Sequence, residues 1–94
     1  MMTVKNHRVE IDRNSPEPVY RQLADIIRGR IESGRYPPGS LVPSIERIRQ
    51  ETGVAVMTIR KGIAILVSEG WVQLVPGKGT FVNPREMWPQ EDVQ

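Results

Sequence analysis

The 94-residue sequence contains no cysteine. That removes disulfides, thiolate zinc sites and cysteine nucleophiles together, and leaves no argument for an oxidising compartment. Histidine is nearly as scarce. His7 is the only one, so neither a Ser-His-Asp relay nor a histidine-rich metal site can be assembled from a single chain. No apolar run approaches the length of a membrane span, and the start lacks the apolar block of a signal peptide, so a cytoplasmic, membrane-free protein is expected. The length suits one small core and not a second domain of ordinary size. No catalytic residues, metal or cofactor are expected.

Charge of either sign is modest. The formal net charge is +2, and residues 1–82 hold 12 Lys and Arg against 8 Asp and Glu, so an acidic tail hides part of a basic bias. Such a bias is compatible with a nucleic-acid partner without specifying one.

The informative stretch is 43–82. Ser44 stands where a helix cap is needed, Ile45 and Ile48 fall on one side of a short helix, and Gly53 can close it in a left-handed conformation. A sharp turn at Gly53 and Val54 leads to a second helix starting near Ala55 or Val56. There Ile59, Ile63, Leu66 and Val67 recur at three- and four-residue steps until Glu69 and Gly70. Thr58, Arg60 and Lys61 lie near the front of this helix, where N–H groups and the helix dipole favour an anion such as a phosphate. After Gly70 the period drops to two. The runs Trp71–Val75 and Thr80–Val82 flank Pro76, Gly77, Lys78 and Gly79, a hairpin tip carrying one lysine. The expected fold class is mainly α with a small β-wing: a three-helix core plus a hairpin, a winged helix-turn-helix. The run Gly77-Lys78-Gly79-Thr80 is not a nucleotide-binding loop, because Lys78 precedes Gly79 and position 72 is Val72, where that motif needs glycine.

The first helix of the core is expected from near Pro16–Val19, with Ser15 as a possible cap, proline in the first turn and Glu17 favourable to the dipole. Val19, Leu23, Ile26, Ile27 and Ile31 share one face, Arg21, Asp25, Arg28 and Glu32 the other, and Gly34 ends it. Tyr20 reads as a packing residue whose hydroxyl finds a polar partner. Arg35–Ser40 is a rigid connector containing Pro37 and Pro38. Residues 1–15 read as an N-terminal arm, either frayed or reaching DNA through Lys5, Arg8 or Arg13, with a possible short strand at Arg8–Asp12. Residues 83–94, with two prolines and no sustained period, read as a linker or disordered tail in which Trp88 could dock.

The residues Pro18, Val19, Tyr20 and Gln22, then Ile31–Gly34, Pro38 and Gly39, Pro43 and Ser44, Gly53 and Val54, Thr58–Arg60, Leu66, Glu69–Trp71, Gly77 and Gly79–Val82 together resemble the amino-terminal DNA-binding domain of the GntR family of bacterial transcription regulators, over roughly residues 16–82. The resemblance implies that the first helix packs behind the helix-turn-helix, that Leu41 and Val42 form a short strand pairing with the wing, and that the chain binds palindromic double-stranded DNA operators as a homodimer. It implies a sequence-specific regulator, a repressor, with Ser44, Thr58, Arg60, Gly77 and Lys78 at DNA. Arg47, Met57 and Lys61 complete the candidate contact set. The family's effector domain is missing from these residues, so the chain reads as an isolated binding module or a small stand-alone regulator, with the effector unknown. A fusion to an aminotransferase-like enzyme is a third possibility, for which no residue here carries the chemistry.

The departures matter equally. Ile45 and Glu46 stand where the resemblance leads one to expect glutamate and a DNA-facing arginine, Arg47 comes one residue too late, and Arg49 replaces a small inward residue. Ala55 and Val56 replace a serine-arginine pair. Ile65, beside Val67 and the unusual Ile45, reads either as an enlarged core or as an apolar pairing surface. These features motivate an alternative reading, a winged-helix protein-interaction module with weakened or lost DNA reading.

Overall fold

A computed structural model describes residues 11–90. Lys5, His7, Arg8 and three of the five residues of the possible strand Arg8–Asp12 lie outside the described residues, as does the end of the tail; Ile11 and Asp12, which are described, form no strand.

Helix α1, Val19–Glu32, turns Leu23, Ala24, Ile27 and Ile31 into the core. It starts at the late end of the expected Pro16–Val19 range. Ser15 is not its cap: the hydroxyl accepts the Glu17 N–H at 3.0 Å ahead of the helix, and Pro18 holds the cap position with extended backbone. The buried Gln22 pins this approach by exchanging two hydrogen bonds with the Asp12 backbone (2.8 and 2.9 Å) and donating to the Glu17 carbonyl at 2.8 Å.

Helix α2, Ile45–Thr52, is capped as expected, with the Ser44 hydroxyl accepting the Arg47 N–H at 3.1 Å. Gly53, at φ 75°, lets the chain leave α2 and enter α3, Val56–Glu69, within three residues; a side chain there would be strained. Val54 in that turn is buried with Ile48 of α2 and Ile59, Ile63 and Leu66 of α3, which fixes the two helices as one unit. Gly62 lets α3 lie close against α1, where a Cβ would meet the Tyr20 carbonyl oxygen at 3.0 Å.

Strands β1, Val72–Val75, and β2, Gly79–Val82, form an antiparallel hairpin pairing Val72 with Val82 and Val75 with Gly79. Pro76 and Gly77 fill the centre of its turn, closed by the Lys78 N–H on the Val75 carbonyl at 2.9 Å. The connector supplies the third line of this small sheet: the Val42 N–H donates to Thr80 at 2.8 Å, the Val82 N–H to Ser40 at 2.9 Å, and Leu41 bridges Phe81. The pairing of Leu41–Val42 with the wing is therefore present.

One expectation is corrected beyond the wing. Residues 83–88 are not a disordered tail, because Arg85–Met87 form a 3-10 turn that docks Trp88 onto Trp71, ring centroids 5.3 Å apart. The buried Asn83 donates to the Gly70 carbonyl at 2.9 Å, and the Trp88 indole N–H returns to the Asn83 carbonyl at 2.8 Å. An indole that covers apolar surface while its N–H finds an acceptor offsets the entropy of ordering the short segment that carries it.

Candidate nucleic-acid interface

The exposed side of α3 is set by what the other side must bury. Ile59, Gly62, Ile63 and Leu66 face the core, and at about 100° per residue this turns Met57, Lys61, Ala64 and Ser68 outward, with Arg60 at one edge and Thr58 at the other. Met57 is 74% exposed, and Arg60 and Lys61 are exposed beside it, with Thr58 half-buried. These four candidates thus share the front turns of one helix.

The front end itself is open. Ala55 occupies the cap position of α3 with no side-chain hydrogen bond, in contrast to the Ser44 cap of α2. The first-turn N–H groups of α3 therefore look outward without a side-chain acceptor. With alanine at the cap, the positive end of the helix dipole has no side-chain partner.

Lys61 leans to one side of this turn, its ammonium 4.3 Å from the centroid of the Tyr20 ring. Tyr20 engages a polar group through its ring face, which receives the Lys61 ammonium. Arg60 lies on the opposite side, bordering a depression formed with Ile45, Ile63, Ala64, Leu74 and Thr80. That depression runs on past Ser44, Glu46 and Lys78 at the wing. The structure thus brings Ser44, Arg60 and Lys78 to one groove between α2, α3 and the hairpin. Gly77 sits at the wing's exposed tip.

Arg47 stands apart. It is exposed and borders a separate depression with Arg35, Tyr36, Leu41–Ser44 and Glu51, on the connector side of α2. Glu46, which does face the wing-side groove, is not a bare carboxylate. It accepts from Arg49 at 3.1 and 2.5 Å and from Gln50 at 3.2 Å, and the Arg49 guanidinium holds its carboxyl below the ordinary carboxylate range. Arg49 is correspondingly exposed, not inward. Arg13, at the base of the arm, reaches the turn of the motif and donates to the Gly53 carbonyl at 3.4 Å.

Ile45 and Ile65 are half-buried and packed against the core, which supports the enlarged-core reading of both, while Val67 stays on the surface. Leu41, Ala64, Leu74 and Thr80 line the groove, although none of them is among the candidate contact residues. Leu74 shares the strand face of the buried Val72, so alternation marks its direction; it is 60% exposed because the hairpin runs past the edge of the core. Among the described residues there is no cluster of metal-ligating side chains, and no helix is long and apolar enough to cross a membrane.

Comparison with known proteins agrees with this geometry. The model of the family described as "Bacterial regulatory proteins, gntR family" matches residues 19–82. The HTH-type transcriptional repressor NagR of Bacillus subtilis is 32% identical over 79 residues, covering 84% of this chain and 32% of the repressor. The mannosyl-D-glycerate transport/metabolism system repressor MngR of Escherichia coli is 36% identical over 67 residues, 71% of this chain and 28% of that protein. The chain thus spans about a third of the length of these curated relatives. Among solved structures, the DNA-binding domain of AraR in complex with operator ORX1 superposes with a TM-score of 0.73 at 35% identity, over 82% of this chain and 99% of that one. YtrA from Sulfolobus acidocaldarius, a GntR-family transcription factor, gives 0.75 at 33% identity, over 86% and 88%. With three helices, a wing and a family match over 19–82, this chain belongs to the GntR family of bacterial regulatory proteins and carries its winged helix-turn-helix fold.

Proposed function

We propose that this chain is a sequence-specific DNA-binding transcription regulator, a repressor, that sets the front of α3 in the major groove and the 76–79 wing tip on the backbone or adjoining minor groove. The observation that carries the reading is the composition of that front: an unscreened helix amino terminus with Met57, Thr58, Arg60 and Lys61 exposed or half-exposed around it. Arg60 has the planar fork that grips a guanine edge, Thr58 and the open N–H groups suit phosphate, and Lys61 and Lys78 supply point charges on either side. Ser44 and Gly77 place backbone at the same surface, and Arg47 meets the duplex farther along the connector side of α2. Glu46, paired with Arg49, repels phosphate less than a free carboxylate would. The relatives' names as repressors and the operator complex of a similar domain support the direction of this reading.

A homodimer on a palindrome would place two α3 helices one helical turn of DNA apart, about 34 Å. Joining two half-site contacts commonly adds about 10²- to 10⁴-fold to affinity, so a monomeric form binds modestly. Selection from a random duplex library at low salt, followed by sequencing, tests the reading. The expected result is an enriched palindrome whose guanine preference relaxes in Arg60→Ala, at a cost of about 1–3 kcal/mol per half-site. Absence of any enriched sequence, or an Arg60→Ala protein that selects the same sites equally well, would overturn it.

A further inference from the structure

Five large apolar side chains are exposed among the described residues: Leu41, Met57, Val67, Leu74 and Met87. Met57 is the most exposed of them, at 74%, and is the one standing on the front turn of α3. It contributes nothing to the core, and a polar residue there would cost the fold nothing. Its neighbours are charged or polar: Thr58, Arg60 and Lys61 share its surface.

The two cations leave room for it. Lys61 is drawn over the Tyr20 ring toward α1, and Arg60 lies toward the wing-side depression with Leu74 and Thr80. Arg60 and Lys61 stand about 60° and about 40° around the helix from Met57, on opposite sides of it, so Met57 lies between the two cations on the exposed face. In the major groove the bases present one apolar group, the C5-methyl of thymine; adenine, guanine and cytosine offer only donors, acceptors and ring edges. Methionine, unbranched and polarisable, fits such a target with little demand on backbone position.

Resting on the DNA-reading function above, we infer that Met57 selects an A·T pair in each operator half-site by packing against the thymine C5-methyl. Arg60 and Lys61 anchor the helix, and Met57 supplies discrimination against cytosine that charge cannot. The residue sets preference at one base step more than it sets total affinity.

The test uses the enriched duplex with each thymine of the half-site replaced singly by deoxyuridine, which deletes the methyl and keeps the pairing. One replacement should weaken binding of the unaltered protein about threefold to fourfold, the worth of taking one methyl group out of water. The same replacement should change binding of Met57→Ala by less than about 1.5-fold, the ratio expected when the partner of the methyl is already gone. Met57→Leu, which keeps an apolar contact, should retain sensitivity to the methyl. Circular dichroism of Met57→Ala should match the unaltered protein, since the side chain is outside the core. If no thymine replacement affects binding, or if the penalty is the same in Met57→Ala, the assignment to Met57 is wrong while DNA reading stands. A library that enriches no duplex sinks the DNA reading and this inference with it.

Discussion

The ammonium of Lys61 lies 4.3 Å from the centroid of the Tyr20 ring, joining α3 to α1 across the back of the candidate reading surface. A cation held over a ring face at an exposed site gains about 0.5–1 kcal/mol, enough to bias where Lys61 points without locking it. Tyr20→Phe should therefore leave DNA affinity unchanged, and Tyr20→Leu should lower it about twofold to fivefold. Lys61→Ala should go further and flatten the slope of log affinity against log salt by about 0.9, the mark of one lost phosphate contact. Salt titrations of the three variants check the order. A Tyr20→Phe protein as impaired as Tyr20→Leu would show that the hydroxyl, not the ring face, is what acts.

Trp88 makes the second prediction, because it decides whether the residues after the wing belong to the domain. Its ring stacks on Trp71 and its indole N–H is satisfied by Asn83, while Arg85 lies 5.1 Å over its face. Trp88→Ala should cost about 2–3 kcal/mol and lower Tm on the order of 10 °C or more. Truncation after Asn83 should cost at least as much. Thermal unfolding of both proteins checks this, and a truncated chain that melts with the full one would return the segment to the status of a linker.

The difference between what was legible and what was not follows from where the information lies. The Ser44 cap, the Gly53 turn and the spacing of Ile59, Ile63 and Leu66 are local patterns, and the helices they specify are the observed α2 and α3. Pro76 and Gly77 marked the hairpin tip for the same reason. Trp88 docking depends on Trp71, seventeen positions earlier, and on Asn83 turning between them, so no window along the tail contains its signal. Glu46 reads as a repulsive charge when it is taken alone; three residues along a helix, Arg49 is its neighbour and pairs with it. The groove-lining Leu74 and Thr80 can be placed on a strand, but only the three-dimensional hairpin shows that they border one depression with Arg60.

Gly62 provides a test of the α1–α3 contact on which the position of the reading helix depends. Alanine is the better helix former by about 1 kcal/mol, which by itself predicts stabilisation. Here the added methyl would meet the Tyr20 carbonyl oxygen at 3.0 Å and Leu23 at 3.6 Å, and the first of these is helix backbone that cannot rotate away. Overpacking of this kind costs about 1–3 kcal/mol, so Gly62→Ala should be net destabilising by about 1 kcal/mol, measured by urea unfolding. A stabilised Gly62→Ala would mean that α1 and α3 are free to separate.

Gln22 ties the approach segment to the core through three hydrogen bonds to Asp12 and Glu17 backbone. Gln22→Leu fills the same space and leaves those backbone groups without their partner, a loss of about 1–3 kcal/mol. The effect should be concentrated in residues 11–17, so amide exchange there should accelerate more than exchange within α3. Uniform acceleration across the domain would show instead that Gln22 acts as ordinary core packing.

Glu46 allows the electrostatic reading to be tested at a single position. Because the Arg49 pairing lowers its folded-state pKa, any stability it adds is present above the unfolded carboxylate range and is lost only as pH falls through the lowered value. Glu46 therefore stays ionised above the ordinary carboxylate range, and the affinity ratio between Glu46→Gln and the unaltered protein should be flat around neutral pH. The ratio itself should favour Glu46→Gln severalfold at low salt, since a carboxylate at the mouth of the groove is removed and Arg49 is released. Glu46→Arg should add more, steepening the salt slope by about 0.9 as one further phosphate is neutralised. Binding isotherms at several salt concentrations decide it: an unchanged slope in Glu46→Arg would place the duplex away from the start of α2.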